Sequence, residues 1–155
     1  MRVIIEPMRS ELLDLVHALE QKAFPTAWSR ESLAQSADHP RARFFVAGPD
    51  SGDGGREIAG FVLSLVAADE LHLLKIAVHE DLRRQGIGRQ MMEHAIADAA
   101  GIGVKYIYLE VRERNLAGQR FYEALGFRLQ GIRKVYYTDS GEDAILYMGR
   151  IRGES

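Results

Sequence analysis

The stretch that most constrains this chain is a strand-like segment, Leu71 to Val78, that runs through Gly86-Ile87-Gly88 into a helix and on to a second strand-like segment, Val104 to Val111. The apolar positions of the helix, Met91, Met92, Ala95, Ile96 and Ala99, share one face. Strand, helix and strand in succession make a crossover unit, so the two strands lie parallel in one sheet with the helix packed on it. A glycine-rich turn at the start of such a helix is where a ligand cleft opens, because the first helical N–H groups have no partner within the helix.

The elements on either side complete the order. Arg2 to Ile5 reads as a short first strand ended by Pro7, and Ser10 as the cap of an amphipathic helix carrying Leu12, Leu15, Val16, Leu19 and Ala23. Phe24-Pro25-Thr26-Ala27-Trp28 breaks that helix, and Ser29 caps a shorter one to about Ser36. Arg43 to Ala47 and Glu57 to Ala68 form a hairpin whose long tip, Gly48 to Gly55, is expected to be mobile. Gly101 is the expected C′ residue of the crossover helix. Asn115 opens a last helix that ends at Gly126, and Phe127 to Tyr137 and Ala144 to Ile151 are two strands about a turn at Thr138-Asp139-Ser140-Gly141. The order strand, two helices, three strands, helix, strand, helix, two strands predicts an α/β chain of the α+β type. Its central sheet is mixed and mostly antiparallel, with helices flanking it, in a single domain over residues 1–155.

Composition narrows the partner. Twenty Lys+Arg against 22 Asp+Glu leave a formal charge of −2, which argues against a nucleic-acid or anionic-membrane surface that works by bulk charge. The longest apolar run, Ile58 to Ala68, falls well short of the ~20 residues that span a bilayer, and Met1 to Pro7 has no room for a signal sequence, so a cytoplasmic protein is expected. Without cysteine there is no thiolate nucleophile and no sulfur-ligated metal, and the histidines at 17, 39, 72, 79 and 94 show no ligand spacing, so no metal is expected. His72 reads as a polar residue at a strand edge.

Arg83-Arg84-Gln85-Gly86-Ile87-Gly88-Arg89 combines glycines, a helix start and arginines, which together suit an anion; the same loop reads equally as a turn with solvated arginines. A Walker phosphate loop requires Gly-Lys-Ser/Thr, and Gly88 is followed by Arg89-Gln90; a dinucleotide fingerprint requires a third glycine where Met91 stands. Arg83 to Gly88 does match Arg/Gln-x-x-Gly-x-Gly/Ala, and this segment resembles the coenzyme A loop of the GNAT N-acetyltransferases. Further segments resemble the RimI-like branch of that family: Ile76-Ala77-Val78, Tyr108 to Arg112, Asn115, Phe121 to Phe127, Phe24 to Ser29 and Arg133 to Tyr137. Arg84 stands where many relatives have glycine, His79-Glu80 lacks the usual proline, and Arg114 replaces a frequent serine.

The resemblance implies the GNAT fold, acetyl-CoA as co-substrate and transfer of its acetyl group to an amine. It implies that Ile76, Ala77 and Val78 line the pantetheine arm, that Arg83, Arg84, Gln85, Gly86, Ile87, Gly88 and Arg89 hold the pyrophosphate, and that Asn115 contacts coenzyme A. Glu110 matches the family's general base and Tyr122 its general acid. The acceptor implied is the N-terminus of a protein or peptide, a ribosomal protein among the candidates.

The residues themselves support this chemistry while leaving plainer readings open. Glu110 falls near a strand end, where a carboxylate takes a proton from an amine directly or through water, or is simply an exposed charge. Tyrosine, with a reference pKa of ~10, donates to a thiolate, and on an amphipathic helix it equally serves as core packing. In a helical projection Ala117, Phe121 and Leu125 centre the buried stripe, while Asn115, Gly118 and Tyr122 form a polar seam at its edge. Trp28, Tyr136 and Tyr137 suit the walls of a peptide slot, or ordinary packing. With a reference pKa of about 7.7–8.0, an α-amine is roughly 10–20% neutral at pH 7, whereas lysine, near 10.4, is under about 0.1% neutral, so one carboxylate suits the α-amine better. No Gly-x-Ser-x-Gly element exists, which favours direct attack over an acyl-enzyme. Acetylation of a lysine or of a small-molecule amine, and a non-catalytic acyl-CoA-binding module, are the alternative readings.

Overall fold

The computed structural model describes residues 1–49 and 58–151. Seven strands form one sheet among these residues: β1 (Val3–Pro7), β2 (Ala42–Pro49), β3 (Gly60–Ala67), β4 (Glu70–Val78), β5 (Tyr106–Arg112), β6 (Arg128–Tyr137) and β7 (Glu142–Arg150), in the spatial order β1-β2-β3-β4-β5-β7-β6. The helices are α1 (Leu13–Ala23), α2 (Arg30–Asp38), α3 (Ile87–Gly101) and α4 (Leu116–Ala124). β4 and β5 are parallel, joined by the α3 crossover, and every other pairing is antiparallel. The expected mixed, mostly antiparallel sheet and element order are those observed. The hairpin tip lies outside the described residues from position 50 to 57, while Gly48 and Pro49 belong to β2.

Each face of the sheet has its own core. On one, Leu71, Leu73, Ile107, Leu109 and Val111 pack against Ile87, Met91, Met92 and Ala95 of α3 and Tyr122 of α4. On the other, Val46, Phe61, Leu63 and Ala77 pack against Leu13, Val16 and Leu19 of α1 and Leu33 of α2.

Local chemistry explains the helix ends, with two departures from expectation. Ser29 and Asn115 cap as expected, their side chains accepting from the N–H of Ser32 and Gly118. Ser10 does not cap α1: it opens a single 3-10 turn, and Leu12 sits at the N-cap without a side-chain bond. Gly101 is the last residue of α3 rather than its C′ residue; the left-handed turn falls at Gly103, with φ 89°. A short turn after Gly101 moved the reversal two residues on.

The feature that positions the site is a failure of strand pairing. β4 and β5 pair only through Glu70↔Tyr106, Leu71↔Ile107 and His72↔Tyr108. Beyond His72 the two strands part, and β5 continues to Arg112 bonded only to β7. A bulge in β4 accompanies the parting: Leu63 faces Lys75 and Ser64 faces Leu73, which leaves Leu74 as the extra residue. A bulge adds twist and reverses the side-chain alternation beyond it. Leu71 and Leu73 therefore face α3, whereas Ile76 and Val78 take up that face further along and Ala77 turns to α1.

β3 holds the splayed end of β4 closely. A Cβ on Gly60 meets the Ala77 carbonyl oxygen at 2.5 Å and the Met91 methyl at 2.9 Å, so no side chain fits without moving β4. We expect Gly60→Ala to destabilise the protein by about 1–3 kcal/mol, the usual cost of overpacking, and to lower Tm by roughly 2–4 °C per kcal/mol. Thermal unfolding followed by circular dichroism checks this.

Candidate active site

A cavity of about 1030 Å³ opens where β4 and β5 part. From Leu73 to Val78, β4 has no strand partner on its β5 side, so the backbone groups that point there are left to bond a ligand, except the Val78 carbonyl, which accepts from Arg83, while those of the alternate residues bond β3. Ile76, Ala77 and Val78 line this edge.

At one end of the cavity the loop before α3 presents its backbone. Gly86 sits at the N-cap with φ 80°, and Arg84 also has positive φ, 64°, at the position where the family resemblance leads one to expect glycine. Left-handed residues in succession with helical ones are the backbone pattern of anion-binding concavities. The α3 N-terminus adds unpaired N–H groups and the positive end of its dipole. Gly88 packs so that a Cβ there lies 3.3 Å from the Phe121 ring, and a larger residue pushes α4 away from the loop. The arginines are held unequally. Arg83 donates to the Val78 carbonyl at 3.3 Å, Arg89 pairs with Glu93 at 2.9 Å, and Arg84 and Arg89 both line the cavity with Arg83. Gln85 does not line it, and its carbonyl instead accepts from the Met1 ammonium group. The Ile87 side chain points into the core, so only its backbone serves the loop.

Asn115 lies on the cavity wall with its Oδ1 committed to the Gly118 N–H. The helix around it is turned differently from the expectation. Tyr122, not Ala117, Phe121 or Leu125, is the buried residue of α4, 7% exposed and edge-on to both Phe121 and Phe127. Ala117, Phe121 and Leu125 line the cavity, and Phe121 and Leu125 are only partly buried where they also touch the core. Burial raises the Tyr122 pKa, with Tyr137 adding to the effect, so the phenol stays protonated. Its ring lines the cavity, and its hydroxyl has no hydrogen-bond partner among the described residues.

Glu110 is on the opposite face. Ile107, Leu109 and Val111 point to α3, so Tyr108, Glu110 and Arg112 point to the side of α1. The carboxylate of Glu110 meets His72 Nε2 at 2.9 and 3.1 Å. The hydrogen bond from Glu110 raises the His72 pKa against an opposing effect of burial, with the Glu110 and Glu70 charges adding. In the sequence His72 reads only as a polar strand-edge residue; its place on the strand before the glycine loop, one crossover away from the strand of Glu110, is the signal available there.

The mouth on this face is walled by two segments. Phe24 to Trp28 is anchored on β4 by a buried ion pair, Lys75 Nζ to Glu20 Oε2 at 2.6 Å, with the Trp28 N–H donating to the same oxygen at 2.8 Å. Lys75 also lies 4.1 Å from the Phe24 ring centre and 4.5 Å from that of Trp28, and its burial lowers its pKa against the pull of Glu20. From the other side come Tyr136 and Tyr137, edge to face at 5.1 Å, with Arg112 stacked on Tyr137 at 4.1 Å. Burial and the Glu110 charge push the Tyr137 hydroxyl up to about 12. Arg112 grips Asp139 with two bonds of 2.8 Å, and Thr26 donates to Asp139 at 2.8 Å, which ties the two walls together. These partners hold the Asp139 carboxyl down at about 2. Trp28, Tyr136 and Tyr137 all line the cavity.

The sequence pattern described as the acetyltransferase (GNAT) family matches residues 13–127. The chain belongs to this family. It is 35% identical over 144 residues to the [ribosomal protein bS18]-alanine N-acetyltransferase of Escherichia coli K12, across 92% of this chain and 93% of that one. A crystal structure of the ribosomal-protein-S18-alanine N-acetyltransferase from Escherichia coli superposes with a TM-score of 0.87 at 33% identity, over 99% of this chain and 97% of that one. Arabidopsis thaliana NAA60 in complex with acetyl-CoA shares the fold, with a TM-score of 0.86, 20% identity, and coverage of 98% and 100%. The GNAT fold and an acetyltransferase of RimI-like sequence, both expected above, are thus found, and acetyl-CoA is the donor this family uses.

The pair at the fork of the sheet is open to direct measurement. A raised histidine pKa means that the His72–Glu110 ion pair stabilises the fold below the ordinary value of about 6.5 and is lost as pH rises through the raised value. The His72 imidazole NMR signals should titrate above 6.5, and Glu110→Gln should bring that midpoint down towards about 6.5.

Proposed function

We propose that this enzyme transfers the acetyl group of acetyl-CoA to the N-terminal α-amine of a protein, with a ribosomal protein bearing an N-terminal alanine as the lead substrate. The observation that carries the reading is the cleft itself. It passes between β4 and β5, so a donor reaches it from the α3 and α4 face while an acceptor reaches Glu110 from the α1 face. The cleft fits coenzyme A in each of its parts. Along the edge at Ile76, Ala77 and Val78, the backbone of Ile76 and the Val78 N–H offer partners to the amide groups of a pantetheine arm, and Ala77, whose backbone is paired with β3, serves by its place on the wall. The loop from Arg83 to Arg89 offers N–H groups and guanidinium groups to a pyrophosphate, and glycine at 86 and 88 lets the backbone come close. Gln85 contributes through its place in the turn, not through its side chain. Asn115 shapes the start of α4 beside the arm.

Glu110 acts as the base on the acceptor amine, and Tyr122 as the proton source for the departing thiolate. The two stand on opposite faces of the sheet, which matches the two sides from which amine and thioester arrive. A free N–H of β4, that of Val78 in our assignment, polarises the acetyl carbonyl. Trp28, Tyr136 and Tyr137 form the slot for the first residues of the acceptor. The slot is aromatic, and its walls are tied by Thr26 and Asp139, which suits an extended N-terminus. The name of the Escherichia coli relative, at 35% identity over 92% of this chain, supports an N-terminal alanine over the lysine or small-molecule alternatives.

Thiol release from acetyl-CoA separates the readings. An Ala-initiated peptide with a free N-terminus should turn over, and the same peptide with a blocked N-terminus and an internal lysine should not; the reverse pattern sinks the α-amine assignment. Tyr122→Phe should lower kcat by about 10²-fold, the lower range for acid–base catalysis, while coenzyme A affinity by calorimetry changes less than about threefold.

A further inference from the structure

Three features of the site lie outside the roles given above: the buried Lys75–Glu20 pair, the tie between Thr26 and Asp139, and His72. The first two hold walls in place. His72 does something that packing does not require, since it puts a group that titrates near neutrality against the residue assigned as base.

We propose that His72 completes the catalytic base: held by Glu110 through Nε2, its imidazole takes and keeps the proton that leaves the acceptor's ammonium group. The inference rests on the reading of Glu110 above. A carboxylate accepts hydrogen bonds and donates none, so the contacts of 2.9 and 3.1 Å require a proton on Nε2. In the neutral imidazole, Nδ1 then carries the lone pair, and Nδ1 has no partner among the described residues. The His72 side chain is 46% exposed and lines the same cavity as Glu110, so water and an acceptor amine can reach it. The surroundings favour a cation there. Glu110 on β5 and Glu70 on β4 both raise its pKa. The other titratable groups around this part of the cavity are Lys75 on β4, committed to Glu20, Arg112 on β5, committed to Asp139, and the phenols of Tyr108 on β5 and of Tyr136 and Tyr137 on β6, the last with its pKa raised by burial. The segment from Phe24 to Trp28 brings none.

Matching of acidities gives the reason for an imidazole. Taking a proton from an α-ammonium, with a pKa of about 7.7–8.0, onto a carboxylic acid with a reference value of about 4.3 is uphill by about three and a half units. Onto an imidazole of reference value about 6.5, it is uphill by about one and a half, and less when a carboxylate stabilises the imidazolium. The step balances as follows. The ammonium N–H bond breaks and its proton bonds to Nδ1, leaving an imidazolium paired with the Glu110 carboxylate. The amine lone pair forms the bond to the acetyl carbon as the carbon–sulfur bond breaks. The second proton lost from nitrogen replaces the one Tyr122 gives to the thiolate, and the imidazolium releases its proton to water.

His72→Gln isolates the claim, because the glutamine amide can still donate to Glu110 but cannot hold the proton. The measurement is kcat/KM for an Ala-initiated peptide between pH 6 and 9, for the full-length wild type and the variant. Taking their ratio cancels the ionisation of the peptide amine. We expect the ratio to rise with pH through one ionisation above about 6.5 and to level at roughly 10- to 100-fold, with coenzyme A affinity unchanged. A ratio near one, or a loss that is flat with pH, overturns the proposal and leaves His72 as a clasp. Glu110→Gln tests the underlying reading separately. If it is slow while His72→Gln is not, the carboxylate works alone; if it is as fast as wild type, the Glu110 assignment fails whatever His72 does. His72→Asn, read in the same way, covers the case in which the glutamine variant does not fold.

Discussion

The structure turns on three residue pairs. β4 and β5 hold together through Glu70, Leu71 and His72 and then separate, and everything the site needs follows from where that pairing stops. A parallel sheet that stayed zipped to Val78 would spend the backbone groups of Ile76 and Val78 on β5, and the cavity between the strands would not exist. The strands are kept apart from both sides. β5 is bonded along its length to β7, while β4 is bonded to β3 beyond the bulge at Leu74. A strand pair that cannot close leaves unpaired N–H and C=O groups in the middle of a sheet, which is costly unless something bonds them. In the function proposed above, the pantetheine arm of coenzyme A takes that place.

The bulge has a second effect on the chemistry. Because the alternation reverses at Leu74, residues before it and after it that are even in number point to opposite faces. His72 shares the α1 face with Tyr108 and Glu110, while Ile76 and Val78 serve the donor side. His72 is the last paired residue of β4, and Glu110 lies two residues past its partner Tyr108, a diagonal separation that a glutamate side chain spans. The contact between them therefore sits at the crotch of the fork. Under the proposed assignment, the acceptor's proton is handled on one face and the thiolate's on the other, with the sheet between.

Much of this was legible before any coordinates. The order of elements, the crossover and the caps at Ser29 and Asn115 follow from periodicity and turn chemistry, which are local. The loop could be separated from nucleotide loops because Arg89 and Met91 occupy the positions where lysine and glycine would be needed. What was not legible depends on register. Nothing in Leu71 to Val78 marks Leu74 as the extra residue, since the bulge arises from how β3 meets β4. The α4 stripe is ambiguous for a related reason: Ala117, Phe121 and Leu125 line the cavity while Phe121 and Leu125 also touch the core, and an apolar stripe carries no label saying which of the two surfaces it meets. A helical projection puts Tyr122 at the edge of that stripe, whereas in the structure it is the buried residue, with its hydroxyl protected from ionisation by that burial.

The near-neutral charge of the chain acquires a structural meaning in this light. The acceptor mouth contains many charges, yet nearly all are cancelled at short range: Lys75 by Glu20, Arg112 by Asp139, His72 by Glu110. A slot so arranged exerts little long-range pull on a substrate, so selection of the acceptor falls to shape and to the aromatic walls. Of the three pairs, only the last contains a group that changes charge near neutral pH. The Lys75–Glu20 pair is sealed from solvent, and separating such a pair typically costs about 3–5 kcal/mol, so it stays fixed through the catalytic cycle. Arg112 keeps its proton at any working pH and its grip on Asp139 persists until the carboxyl is protonated near 2. The charge balance of the mouth can therefore change at one place only, beside Glu110, and an arriving ammonium group adds its positive charge to that same place. Charging the imidazole and binding a cationic amine compete for one carboxylate, so the acceptor is held best when His72 is neutral, which is also the state in which it can take the proton.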